Sequence, residues 1–403
     1  MRIHDISPLF SNEPFNAIGW TPVAFYSFAV GLSFFLPVDI SFSVWFFYLF
    51  WKVIRVGGRV IGWRSLPGFP YQTEQTFGAW MGLLFIAIWM ARGHLSQVIR
   101  TAFDWRSAED VQGTDEPMRY RTVLLGLVFG ILFITIFCYK AGMSFVVTLV
   151  FFSIYLGTST TLTRIRAELG PPAHDLTYAY PELIMIGAVG TRRIGPSNLT
   201  MFSFFRFLTR VYGSHPMPVQ LEGFKLAERV KLKTRKVLIA LGLASFLGIF
   251  GSFWALLHNF YQYGAANVTG FSLGHGVGAF NILQNRLNNP IDHDYPSLVF
   301  ISVGLLFTFL LMTLRIKFFW WTLHPGGFAL AGSWAMNYFW LSFFISWLVK
   351  GLILRRGGLK TYQRAVPFFL GMILGQFSVS TLWNVIVTLL GLPPGLYSHA
   401  TYP

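Results

Sequence analysis

The densest group of residues able to do chemistry runs Thr163-Arg-Ile-Arg-Ala-Glu-Leu-Gly-Pro-Pro-Ala-His-Asp175, directly after the hydroxyl run Thr158 to Thr163. Arg164 and Arg166 could neutralise an anionic group. Glu168 could carry a proton, and His174 and Asp175 extend the polar surface. Ionisable side chains at membrane depth usually serve a substrate or ion path. The competing reading is an exposed ion pair that anchors the end of a span, because arginines are common at membrane interfaces. A second polar patch, Asn281, Gln284 and Asn285, offers amide contacts to a solute or simply the polar face of a loop helix. His324 opens a His-Pro-Gly-Gly break in an apolar stretch.

Other chemistries are missing from the sequence. There is no phosphate-binding glycine loop, no His-Glu-x-x-His, no Gly-x-Ser-x-Gly and no dinucleotide fingerprint. The sequence therefore reads as a non-enzyme without a cofactor or metal. The single cysteine, Cys138, lies in an apolar run, where it reads as a small buried hydrophobe. His258 has no second ligand at metal spacing and reads as an interfacial residue.

The elements that must position these residues are membrane spans. The 403-residue chain is 54% hydrophobic, 18% aromatic and 12% charged. Soluble domains carry about 25% charged residues, so this surface faces something other than water. Apolar runs cover 20–36, 40–51, 77–90, 122–139, 143–162, 237–260, 297–314 and 366–390, with weaker stretches at 183–189 and 199–207. A full crossing takes roughly 20 residues, which leaves 77–90 short. The stretch 318–349 is apolar but interrupted. Residues 261–295 read as a loop, and 92–121 as a solvated connection with an amphipathic start. Gln220 to Arg229 reads as a surface helix with acids and bases at helical spacing. The expected class is an all-α polytopic transmembrane helical bundle of about 7–10 spans. Residues 1–403 form one transmembrane domain, in which 163–236 is a largely cytoplasmic polar region with re-entrant elements.

The net charge of +15 sits beside span ends rather than in one run. That pattern fits orientation by positive cytoplasmic loops and not nucleic-acid binding. The flanks at 52–64, 164–166, 315–317 and 350–364 cannot share a side if every apolar run crosses once. They can if 77–90, 183–207 and 318–349 make no net crossing. Broken segments at membrane depth are tolerated where they line a cavity or are buried in protein. Gly126-x-x-x-Gly130, Gly371-x-x-x-Gly375 and the Ala244/Gly248 pair mark close helix contacts, expected inside the bundle. Arg121, Arg235 and Arg364 each open a Gly-containing span, a faint internal echo.

Four blocks, Asp39-Ile-Ser-Phe-Ser-Val-Trp, Thr163-Arg-Ile-Arg-Ala-Glu-Leu-Gly-Pro-Pro, Pro216-Met-Pro-Val-Gln-Leu-Glu-Gly-Phe-Lys and Leu354-Arg-Arg-Gly-Gly-Leu, resemble an uncharacterised bacterial family of multi-pass proteins. That family is distantly similar to oligopeptide transporters, although the Asn-Pro-Gly and Lys-Ile-Pro-Pro-Arg signatures of those transporters are missing here. The resemblance implies a bacterial inner-membrane protein that moves a small solute, with proton coupling. It also implies that the chain begins partway through a longer architecture, so that a partner chain supplies further spans. The partners expected are the lipid bilayer, such a chain or further copies of itself, and no nucleic acid. The alternative is a non-transporting assembly subunit that binds another membrane chain through its glycine faces.

Overall fold

The computed structural model describes residues 3–63, 66, 68–103, 117–171, 180–210, 215–265 and 270–391. Among them are one two-stranded ribbon and fourteen α-helices. Strand β1 (His4–Asp5) pairs antiparallel with β2 (Pro22–Val23). The helices are α1 (Ser27–Phe35), α2 (Val38–Ile61), α3 (Gln72–Phe103), α4 (Tyr120–Lys140), α5 (Phe145–Leu169), α6 (Pro181–Val189), α7 (Thr191–Ile194) and α8 (Pro196–Arg210). They continue as α9 (Pro216–Arg229), α10 (Thr234–Tyr263), α11 (Gly270–Asn288), α12 (Tyr295–Lys317), α13 (Pro325–Ala331) and α14 (Met336–Leu389). Seven of them, α2, α3, α4, α5, α10, α12 and α14, are long and apolar enough to cross a membrane. The all-helical, multi-pass class read from the sequence is the class found.

A straight α14 of 54 residues would measure about 81 Å, far more than the roughly 30 Å of a bilayer core. It is folded back on itself. Phe28 on α1 touches Phe339 at 5.6 Å and Phe377 at 5.5 Å, and the Lys350 ammonium lies 5.0 Å from the Tyr362 ring. Both pairs can meet only if two antiparallel arms join at Gly358, whose backbone is non-helical (φ 61°). Helix α1 is wedged against both arms, with Phe34 stacked on Phe369 at 3.7 Å.

Contacts along the helices define two ends of the bundle. At one end Arg315 of α12 meets Asp39 of α2 at 2.5 Å, and Arg166 of α5 meets Glu222 of α9 at 2.7 Å. Lys350 donates to the Leu36 carbonyl at 2.6 Å there. Beyond it lies the α14 corner, with Arg355, Arg356, Lys360 and Arg364. At the other end the Tyr71 ring stacks on Phe300 at 4.6 Å, which brings the starts of α3 and α12 together. Helices α3 and α12 run parallel from there in backbone contact. A Cβ on Gly78 would fall 2.0 Å from the Ile301 carbonyl oxygen, and one on Gly304 would fall 2.0 Å from that of Gln75. Only small residues permit such an approach.

Several expectations are corrected. The 77–90 run is not a short non-crossing element, because α3 extends it at both ends to 32 residues. It recruits polar residues that apolar counting discards. It therefore carries the 52–64 flank to the end opposite 164–166, 315–317 and 350–364, and the basic flanks do not share one side. The first apolar run is helical only over Ser27–Phe35; residues 20–26 are not helical. The 261–295 loop contains the 19-residue α11, and the 92–121 connection is helical to Phe103. Gly126, Gly130, Gly248, Gly371 and Gly375 have no neighbouring atom within 4 Å of an added Cβ, so these faces point out of the bundle instead of packing inside it. Cys138 is buried, as its apolar setting suggests.

The stretch 318–349 does behave as a broken segment. Helix α13 rises from Leu169 and Ser43 near the basic end, breaks at Gly332 beside Thr76, and the first arm of α14 returns to Lys350. Residues 181–210 follow a similar course. Each unit begins with an aromatic residue and a proline (Tyr180-Pro181, His324-Pro325), continues as a short helix, and breaks at a glycine (Gly190, Gly332). Each then resumes at an asparagine followed five residues later by Ser-Phe-Phe, from Asn198 to Ser203 and from Asn337 to Ser342. Both asparagines donate back into their break, Asn198 to the Ile194 carbonyl at 2.7 Å and Asn337 to that of Trp334 at 3.0 Å. Arg235 lies in the first turn of α10, and Arg364 in the second arm of α14.

Candidate functional site

A cavity of about 930 Å³ opens at the end opposite the clustered arginines. Its first wall is the C-terminal half of α2. Tyr48, Lys52, Arg55 and Arg59 recur every three or four residues and so share one helix face. The α2 residues before them, Val44, Phe47 and Trp51 among them, are fully buried and fix that face. The other walls come from the N-terminal segment (Glu13, Trp20), the start of α3 (Gln72, Glu74) and the break before α14 (Trp334, Asn337).

Each wall is tied to the next. Lys52 is 7% exposed and donates to the carbonyls of Trp20 at 2.7 Å and Ile18 at 3.3 Å, which seats the N-terminal segment over α2. Trp20 stacks on Trp334 at 5.1 Å, and the Trp340 indole donates to the Pro22 carbonyl at 2.9 Å. Tyr48 donates to Asn337 Oδ1 at 3.2 Å. Arg55 donates to Gln72 Oε1 at 3.0 Å. Asp5 accepts from the backbone N–H groups of Ser7 and Thr21 and from the Ser7 hydroxyl, and these bonds hold its carboxyl below the usual range.

The cavity thus presents three cations, two carboxylates and a stacked tryptophan pair. Among the described residues neither Arg55 nor Arg59 forms an ion pair with a carboxylate, and neither does Glu74. A guanidinium that finds only an amide or water keeps most of its donors free for a ligand carboxylate or phosphate. Below the cavity, Thr73 and Glu74 also line a hollow of about 10 Å³, closed by Tyr180, Ser297 and Ile301. That is room for about one water molecule.

The residues singled out from the sequence lie elsewhere. Arg164 pairs with Glu168 at 2.6 Å, and Arg166 pairs with Glu222 while also donating to the Pro171 carbonyl. His174 and Asp175 lie outside the described residues. Asn281, Gln284 and Asn285 are exposed on α11, where Asn285 accepts from Asn289 at 2.8 Å. His324 caps α13, its Nδ1 accepting from the Gly326 N–H at 2.9 Å. None of these residues lines the large cavity. Glu222 and Lys225 do sit on a surface helix as expected, with Lys225 paired to Glu228.

Sequence reasoning passed over Lys52, Arg55 and Arg59 as a cytoplasmic flank. Two signals could have found them: their shared helix face, and their conflict with the orientation of every other basic flank once 77–90 is allowed to cross. Trp20 and Glu74 carried no signal, because only the folded chain brings them to α2.

No curated protein and no solved structure matches the chain. A match to the family of unknown function DUF6785 covers residues 1–397, and the chain belongs to that family.

Proposed function

We propose that this protein is a secondary-transporter-like membrane protein whose cavity binds a small organic anion. The observation that carries this reading is a 930 Å³ cavity with arginines that have no carboxylate partner among the described residues, set beside a stacked tryptophan pair. Orientation supports it. Basic segments favour the cytoplasm, so the arginine-rich end belongs inside a bacterial inner membrane. Lys52, Arg55 and Arg59 then sit on the outer side as ligand groups, not as topology signals. The broken segment that lines the cavity through Gly332, Trp334 and Asn337 is of the kind from which transporters build central sites. The distant resemblance to oligopeptide transporters points to transport as well, without naming the solute.

The test is calorimetric titration of the protein in lipid nanodiscs with benzoate, and with benzylammonium as the opposite charge on the same ring. Benzoate binding that is lost in Arg55→Gln/Arg59→Gln, together with benzoate uptake into proteoliposomes, supports the reading. Equal binding of both probes, or of neither, defeats it.

A second reading, an assembly subunit, has its own observation. Helix α10 buries none of its residues, and the glycines of α4 and the second α14 arm face outward. Native mass spectrometry from mild detergent decides this reading: a stoichiometric second chain or copy supports it, and a monomer removes it.

A further inference from the structure

Glu182 is the one carboxylate among the described residues that is fully buried, at 1% exposed. It stands in the first turn of α6, where the corresponding position of the second broken unit is Gly326. Its Oε1 lies 3.7 Å from Arg206 of α8, beyond hydrogen-bond reach, and its Oε2 has no hydrogen-bond partner. Thr209 of α8 and Arg286 of α11 also face it. From α5 the neighbours of α6 are apolar, Phe151 among them, and α12 contributes Ser297. On α7, Arg192 is paired outward with Asp292. On α3, Glu74 stands across the small hollow.

Glu182 does not itself line that hollow, but its neighbour Arg206 reaches the hollow's wall. The Arg206 guanidinium lies 5.0 Å from the Tyr180 ring, and Tyr180 walls the hollow that Glu74 shares with the large cavity. Burial pushes the Glu182 carboxyl up, while its own backbone N–H, then Arg286 and Arg206, and last the Thr209 hydroxyl pull it back. A buried carboxylate oxygen with no donor gains most by taking a proton.

We propose that Glu182 is a proton-binding site whose occupancy switches the charge beside Arg206. A proton from water adds to Oε2, the carboxylate becomes a neutral acid, and release reverses the step. The binding site stands on the geometry alone; its role in coupling rests on the transport reading above.

The experiment is infrared difference spectroscopy of the full chain in nanodiscs, stepped from about pH 8 to about pH 5. A carbonyl stretch of a protonated carboxylic acid is expected. It disappears in Glu182→Gln and persists in Glu168→Gln. In Arg206→Gln its midpoint rises by about one pH unit, because an opposite charge has been removed. A band that survives Glu182→Gln, or a midpoint unmoved in Arg206→Gln, overturns the proposal, and the second variant decides if the first does not fold. Benzoate titration of the same samples separates the two claims. Benzoate binding with a band insensitive to Glu182 removes the proton site and leaves the anion cavity. A Glu182-dependent band without benzoate binding does the reverse.

Discussion

At one end of the bundle Arg164, Arg166 and Arg315 each lie within 2.7 Å of a carboxylate. At the other, Lys52 turns to backbone carbonyls, Arg55 to an amide, and neither Arg55 nor Arg59 has an ion-pair partner among the described residues. A paired cation is an anchor: its charge is already answered within the fold. A cation that lines a hollow without a carboxylate partner is poised for something that arrives. The difference separates basic residues that orient the chain from those that read a ligand, although both kinds flank apolar helices in the sequence.

The largest expected effect tests the anchoring end through His324. Burial first, and then the nearby Arg315 charge, hold its imidazole down at about pH 4, while Asp39 acts the other way. Its Nδ1 already accepts a hydrogen bond, which fits the neutral ring. The unfolded chain therefore binds the proton first as pH falls. His324 contributes stability above its unfolded value near 6.5, and that contribution is lost as pH falls through about 4. The shift corresponds to at most about 3 kcal/mol. Thermal melts of the wild type and His324→Gln should converge on acidification, with the variant flatter between those limits. Parallel curves would mean that this end is not held by a neutral histidine.

The next effect sharpens the other side of the comparison. Arg55→Gln/Arg59→Gln should weaken benzoate about a hundredfold, about 2.7 kcal/mol, in line with the loss of charge-assisted hydrogen bonds. Stability should change by less than about 0.5 kcal/mol, because no carboxylate is left unpaired and only the Gln72 amide, which lines the cavity, loses a donor. A large stability loss with unchanged benzoate affinity would make these arginines structural and erase the contrast.

Helical class and most span positions were legible because a run of apolar residues long enough to cross a bilayer has few other folds available. The shared side of the basic flanks was not, for a specific reason. Helix α3 starts at Gln72 and ends at Phe103, so its apolar middle is extended at both ends by polar and charged sequence that an apolar window discards. Treating 77–90 as non-crossing then made the flank at 52–64 look like every other basic flank. The glycines erred in the same way. Gly371 and Gly375 display the familiar spacing yet touch nothing, whereas Gly78 and Gly304, 226 positions apart, let two backbones meet. Spacing within one helix reports a face; it does not say what covers that face. The candidate site was least legible, since Trp20, Lys52, Glu74 and Trp334 converge only through tertiary contacts.

Arg315→Gln isolates one anchor. Asp39 is 24% exposed, and without Arg315 its charge is left half-buried, a loss of about 1–2 kcal/mol. Adding Asp39→Asn should restore much of it, and the double-mutant cycle in melting experiments measures the coupling. Additive losses would show that the pair is not what joins α2 to α12.

The smallest effect belongs to Arg164 and Glu168. Their side chains are 31% and 55% exposed, and they sit one helical turn apart at the end of α5. Such pairs are worth about 0.3–0.5 kcal/mol and weaken with salt. Arg164→Gln/Glu168→Gln should therefore melt within that margin of the wild type at low ionic strength and match it at high ionic strength. Its benzoate affinity should be unchanged, because the pair lies at the far end of the bundle from the cavity. If this double variant lost benzoate as severely as Arg55→Gln/Arg59→Gln, pairing in the free protein would not mark an anchor, and the ligand site would extend to the arginine-rich end.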